Sequence, residues 1–237
     1  MPEPGKVDCN SESELLLLVE GRNDCHAVFQ LMWLIYGREP IFGIHECGND
    51  DKALGTLAAR MVGIRRKQRV LGLILDADIE SVRPDEVIKA RLDQLAARVG
   101  TYYPLPGVFP DGGLIVDPLA SRPEADRLPK LGVWLMPNNK TWGMFEDLLM
   151  HSLPDHAVDY TSTVVRRSKV DGVANFKDTH LSKAVIRTYM AWQDPPDIQY
   201  LGLAIKRGVF QRIEAECGQF VDWLDRLFGA HAAEPGR

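Results

Sequence analysis

The sequence predicts an α/β fold: a parallel four-stranded sheet flanked by helices, with a helical C-terminal extension. Apolar runs of strand length alternate with helical segments through the first 150 residues. Those runs are nearly continuous rather than alternating, which is the pattern of strands covered on both faces. The last third is mostly helical in pattern.

Residues 1–12 (MPEPGKVDCNSE) are polar, with two prolines, and read as a loose lead-in. Glu14–Glu20 is the first strand, Gly21 turns the chain, and Asp24–Tyr36 continues as a helix. Pro40–Cys47 is a second strand, and Asn49 and Asp50 cap a helix through Lys52–Val62. Val70–Leu75 is the third strand, and Arg83–Val99 is an amphipathic helix ended by Gly100. This strand-helix order predicts parallel strands with right-handed crossovers. Residues 102–127 are rich in Pro, Gly and Asp, with a short apolar piece at Leu114–Val116. Leu131–Met136 is the fourth strand, followed by PNNKTWG and a helix at Met144–Leu153. Helices then span about 155–169, 180–193 and 216–229, with an edge segment at 198–205. The expected units are 13–153 for the α/β domain and 154–230 for the helical extension packed on it.

The composition is that of an ordinary globular protein, 45% hydrophobic and 26% charged. A net charge of −5 gives no global nucleic-acid signal and leaves room only for a local basic groove. Cys9, Cys25, Cys47 and Cys217 form no C-x-x-C pair and read as reduced thiols. The apolar run Leu15–Val19 is far too short for a signal core or a membrane span, so the expectation is a cytoplasmic protein with no membrane partner. Cys25, His26, His45 and Cys47 match no standard zinc spacing and read as core.

The chemistry-bearing feature is a pair of acidic strand endings. ELLLLVEGRND puts Glu20 after one apolar run, and RVLGLILDADIE puts Asp76 and Asp78 after another. Open parallel sheets bind ligands beyond the carboxyl ends of their strands. Clustered carboxylates there repel one another unless a cation is present. Oxygen-only ligands favour Mg²⁺ or Mn²⁺.

Glu-Gly-x-x-Asp after a first strand (Glu20, Gly21, Asp24) and Asp-x-Asp after a later one (Asp76, Asp78) resemble the TOPRIM fold over residues 13–150. That fold is shared by topoisomerases, primases, small RNA-maturation nucleases and OLD-type (overcoming lysogenization defect) nucleases. The segments GVWLMPNNKTWGMFEDLL and HLSKAVIRTYMAW resemble a bacterial and archaeal branch nearer the OLD-type nucleases. The third Asp of the topoisomerase pattern is absent, with Glu80 in its place.

The resemblance implies a TOPRIM-like parallel four-stranded sheet and Mg²⁺-dependent phosphodiester hydrolysis on DNA or RNA. Asp76 and Asp78 would hold the metal, and Glu20 would be a ligand or the general base or acid. Asp24 and Glu146 would complete a metal position, and Lys183 would be the basic catalytic residue, with Lys140 behind it. Arg65, Arg66 and Lys67, with the run Arg166, Arg167 and Lys169, would track phosphates if they fold to one side.

Each residue has a plainer reading. Asp24 suits a helix cap, Glu146 and Asp147 a helix first turn, and Lys183 a solvated surface. The competing function is a non-catalytic TOPRIM-like nucleotide- or nucleic-acid-binding module in a defence or repair system. A third is an acidic pocket holding Mg²⁺ with a phosphorylated ligand. The sequence has no P-loop, so an ATPase, if one is needed, would come from a separate chain.

Overall fold

The computed structural model describes residues 6–62 and 67–229. In chain order the elements are β1 (Leu15–Val19), α1 (Arg22–Tyr36), β2 (Gly43–Glu46), α2 (Asp50–Val62), β3 (Val70–Asp76), α3 (Val87–Val99), β4 (Leu114–Val116), β5 (Lys130–Met136), α4 (Phe145–His151), α5 (Asp155–Val170), α6 (Leu181–Ala191), α7 (Leu201–Lys206), α8 (Ile213–Glu216) and α9 (Gly218–Phe228).

The strands lie in the order β2-β1-β3-β5-β4. The four expected strands are mutually parallel. The expected four-stranded sheet is corrected to five by β4, which pairs antiparallel with β5. Its three residues, LIV, are too few to show a period in a loop otherwise made of turn residues.

Alternation along each strand divides the core in two. Leu16, Leu18, Leu71, Leu73, Leu75, Leu131, Val133 and Leu135 pack with residues of α2 and α3. Leu17, Val19, Ile74, Trp134 and Met136 face the other way, toward α1 and the C-terminal helices. Those C-terminal helices therefore form one of the sheet's two covering layers. Gly72 and Gly132 are register partners on this second face and open a trench for α9. A Cβ on Gly132 would overlap Leu227, and one on Gly72 would sit 2.8 Å from Leu17 Cδ1 and 3.0 Å from Phe228 Cζ.

Three local expectations change. The segment 198–205 is not an edge strand: it forms α7, whose Leu201, Ala204 and Ile205 are buried in the core shared with α1. The third long helix begins at Val87, because 79–86 closes in short turns around Pro84. The lead-in is anchored: Ser11 N donates to Ile44 O at 3.1 Å and Glu46 N to Cys9 O at 2.8 Å. That pairing brings Cys9 against the first turn of α1, where it forms a disulfide with Cys25, so these two are not the reduced thiols expected. Cys47 and Cys217 are free. Among the described residues no helix is long and apolar enough to cross a membrane.

Gly132→Ala is expected to lower stability by about 1–3 kcal/mol in urea unfolding, because the methyl overpacks the α9 trench. Gly218→Ala, on the same helix with nothing within 4 Å of the new methyl, should change it by less than about 1 kcal/mol.

Candidate active site

Parallel register sets the carboxyl ends of β1 and β3 side by side, with Leu18 opposite Leu73. Glu20 follows β1 directly, and its Oε1 accepts the backbone N–H of Asp76 at 2.7 Å. Asp76 ends β3, and its Oδ1 accepts the N–H of Phe145, the first residue of α4, at 3.1 Å. One carboxylate thus ties β1 to β3, and the next ties β3 to α4.

Two helix starts add acids. Asp24, at the third position of α1, reaches back to the helix start, its Oδ2 accepting Gly21 N–H at 2.9 Å. Asp147 does the same on α4, accepting Met144 N–H at 2.8 Å and the Ser182 hydroxyl at 3.2 Å. Glu146, only 3% exposed, stands beside it.

The loop from β5 to α4 is held over this end of the sheet by Gly143. Its N–H donates to Ala77 O at 2.8 Å, and its carbonyl accepts Ala77 N–H at 2.7 Å. Gly143 has φ +149°, and a Cβ there would lie 2.9 Å from Asp147 Oδ2. Only glycine closes this loop without strain.

Three cations answer the acids. Lys183, half-buried on α6, lies in the field of Glu146, Asp76, Asp24 and Asp78. Burial opposes its charge, but those four acids outweigh burial and raise its pKa. Arg187, one helical turn on, also acts on Glu146. Arg91, 1% exposed, reaches in from α3 on the opposite side of the sheet. Its Nε donates to Asp76 O at 2.9 Å and one terminal nitrogen to Asp50 Oδ2 at 2.9 Å, while the other lies 3.8 Å from Asp78 Oδ1. Asp50 is held below the usual carboxylate range: burial pushes it up, and Arg91 more than reverses that.

Sequence reading did not single out Arg91 or Arg187. Arg91 carries a usable signal: Val87, Arg91, Leu95 and Val99 form one i,i+4 stripe, and an arginine on an apolar stripe needs an acid partner. Arg187 has no local signal beyond its i,i+4 spacing from Lys183.

The remaining basic candidates lie elsewhere. Lys140 pairs with Asp111 at 2.8 Å. Lys67 is exposed, and Arg65 and Arg66 lie outside the described residues. Arg167 pairs with Asp171 at 2.7 Å and Lys169 with Asp178, so most of the second basic run is engaged locally. Glu80 pairs with Lys177 at 3.0 Å on the surface.

Burial and mutual repulsion raise the proton affinity of these acids. Burial pushes Glu20 up to about 7, against the hydrogen bond from Asp76 N–H and with the repulsion of Asp24. Burial and then the charge of Glu146 push Asp24 up to about 7. Asp76 is raised well above the carboxylate range by burial and then by Glu20, Asp24, Glu146 and Asp78. Glu146 and Asp147 are also raised, chiefly by burial.

Among the described residues no three His, Cys, Asp or Glu side chains are grouped to hold a metal ion. The donor chemistry nevertheless fits a hard divalent cation: half-buried carboxylates in one another's field with buried Glu146 beside them, and no sulfur or imidazole among them.

A family model described as a protein of unknown function, DUF3226, matches residues 14–229. The chain belongs to the DUF3226 family. No curated protein matches the chain, and no solved structure does. The DUF3226 match runs from β1 through α9, so the acids, Lys183 and the helices that carry it belong to one family unit.

Two outcomes follow from these electrostatics. Glu20 and Asp24 bind protons more tightly folded than unfolded, so in EDTA their favourable contribution is complete below about pH 4.5 and is lost as pH rises through about 7. The melting temperature in EDTA should therefore fall between pH 5 and pH 8. Asp76→Asn, which keeps the acceptor for Phe145 N–H, should raise it at pH 8 by about 2–4 °C. Separately, Arg91→Met leaves Asp50 and Asp78 without their shared cation. It should cost about 1–3 kcal/mol in urea unfolding at pH 7, below the fully buried range because both acids are partly solvated.

Proposed function

We propose that the carboxylate cluster at the ends of β1 and β3 hydrolyses phosphodiesters in nucleic acid, in a TOPRIM-like domain akin to the OLD-type nucleases. The observation that carries this reading is the meeting of Glu20, Asp24, Asp76 and Glu146 in one electrostatic field with Lys183 beside them. These residues come from three separate stretches of chain, and an apolar core gains nothing from gathering them. Perturbed carboxylates beside a cation at the carboxyl edge of a parallel sheet are what a phosphate-handling site needs.

On this reading Asp76, Asp78 and Glu20, with Asp24 and Glu146, hold Mg²⁺ or Mn²⁺. The cation supplies neutralisation of phosphate charge and activation of water. Glu20, which burial pushes up to about 7 when no cation is bound, would serve either as a ligand or as the general base or acid. Its Oε1 is fixed by Asp76 N–H, which orients the second oxygen. Lys183, its charge favoured by the field of four acids, would neutralise a phosphate oxygen at the site. Asp147 holds the turn that carries Glu146. The Gly143 loop fixes that turn over Ala77. The protein would act in the cytoplasm, where reducing conditions bear on the Cys9–Cys25 pair.

The test is cleavage of plasmid, single-stranded DNA and RNA with Mg²⁺ or Mn²⁺. Glu20→Gln and Asp76→Asn should each lower cleavage by at least about 10²-fold while circular dichroism and melting show a folded protein. Equal trace activity in wild type and both variants would sink the nuclease reading. Calorimetric Mg²⁺ binding that Asp76→Asn removes, with no cleavage of any substrate, would point instead to a binding module.

A further inference from the structure

Beside the acids, α1 and α7 build a surface that the reading above does not use. Tyr200, the residue before α7, is 51% exposed. The His26 ring stacks on it at 6.2 Å between centroids and 24° between planes. His26 follows Asp24 by two residues in the first turns of α1. The pair is placed by a close approach of backbones, since a Cβ on Gly202 would lie 2.7 Å from His26 O. A single exposed tyrosine is ordinary. This one is backed by a second ring and locked to the helix that carries a site carboxylate.

The cations connect the two places. Arg187 acts by charge on Glu146 inside the site and donates to the carbonyl of Gln199, the neighbour of Tyr200. Arg22, two residues beyond Glu20, is held by Glu46 at 3.0 and 3.1 Å and acts by charge on His26. Arg22 lies in the field of Tyr200 and Arg187 bonds the residue before it, so the ring pair is a π surface with two arginines adjoining it. Aromatic faces flanked by guanidinium groups are how proteins hold unpaired bases and their phosphates. A base inside a duplex is already stacked and offers no face.

We propose that Tyr200, backed by His26, is a stacking platform for an unpaired base, with Arg187 and Arg22 as its phosphate contacts, and that the site takes single-stranded nucleic acid. The proposal rests on the phosphodiesterase reading and names its substrate class. Arg187 is the link: a strand whose base lies on Tyr200 passes its next phosphate along Arg187 toward Lys183 and the carboxylates. A second exposed ring pair among the described residues, Tyr160 and Trp192 at 5.8 Å, bridges α5 and the end of α6 and is tilted by 56°. It serves as a control.

The experiment is fluorescence anisotropy with a labelled 12-mer, single-stranded or annealed, titrated with the protein in Ca²⁺ and again in EDTA. The single strand should bind at least about 10-fold tighter than the duplex. Tyr200→Ala should weaken single-strand binding about 5- to 150-fold, Tyr200→Phe should keep it, and Tyr160→Ala should leave it unchanged. If Tyr200→Ala does not fold, Arg187→Gln provides the second reading: weaker single-strand binding and a salt slope reduced by about one.

Equal affinity for strand and duplex, no binding by the wild type, an unaffected Tyr200→Ala, or an equal loss in Tyr160→Ala overturns the platform. Tyr200-dependent binding without cleavage in Mg²⁺ or Mn²⁺ keeps the platform and removes the nuclease. Cleavage of duplex that Tyr200→Ala leaves intact does the reverse.

Discussion

Carboxylates buried within one another's field at the end of a parallel sheet are the constraint on which the rest of this molecule depends. Desolvation and mutual repulsion both oppose ionisation; together they push Glu20 and Asp24 up to about 7 and raise Asp76 well above the carboxylate range. A chain selected for stability alone would place apolar groups there. The surrounding structure instead supplies each acid with a specific donor or cation. Asp76 N–H serves Glu20, Gly21 N–H serves Asp24, Phe145 N–H serves Asp76, and Met144 N–H serves Asp147.

These hydrogen bonds also assemble the fold locally. The carboxylates of Asp24 and Asp147 reach back to the backbone N–H at the starts of α1 and α4, so the residues that start the helices are the ones that crowd the site. Cap and ligand are therefore not alternatives for Asp24; one side chain can satisfy Gly21 N–H with one oxygen and present the other. Arg91 performs a similar double task from the far side of the sheet. By holding Asp50, Asp78 and the Asp76 carbonyl together, it fixes the turn after β3 and keeps Asp78 partly neutralised.

How much of this was legible depends on whether the signal was local. Glu20 and Asp76 were readable because an acid directly after a buried apolar run is costly without a reason. The parallel strands were readable from LLLLV, VLGLILD and KLGVWLM, each long enough to show burial on both faces. β4 was not, because three residues in a loop of turn formers carry no period. Cys9 and Cys25 were read as unpaired because their meeting depends on the lead-in lying along β2, which its polar sequence does not announce. Lys183 carries no local signal in the sequence beyond the family resemblance of its segment. Its location is a tertiary fact: α6 packs against α4, which shares the core with the sheet.

That last dependence makes the C-terminal third part of the site. Gly72 and Gly132 give up side chains in two central strands so that α9 can lie close. Trp223 of α9 packs on Trp134 of β5 and donates to Leu114 O of β4, which joins the helix to the strand pair before the Gly143 loop. The same layer carries α6 with Lys183 and Arg187, and α7 with Tyr200 at its start. Without that layer the acids would lose Lys183, the cation whose field reaches four of them, and Glu146 would lose its burial. Five raised carboxylates held only by backbone hydrogen bonds at neutral pH would then favour local opening of the β1 and β3 ends over a formed site. The helices after residue 154 thus supply, with Arg91 of α3, the charge that lets the acidic end of the sheet exist.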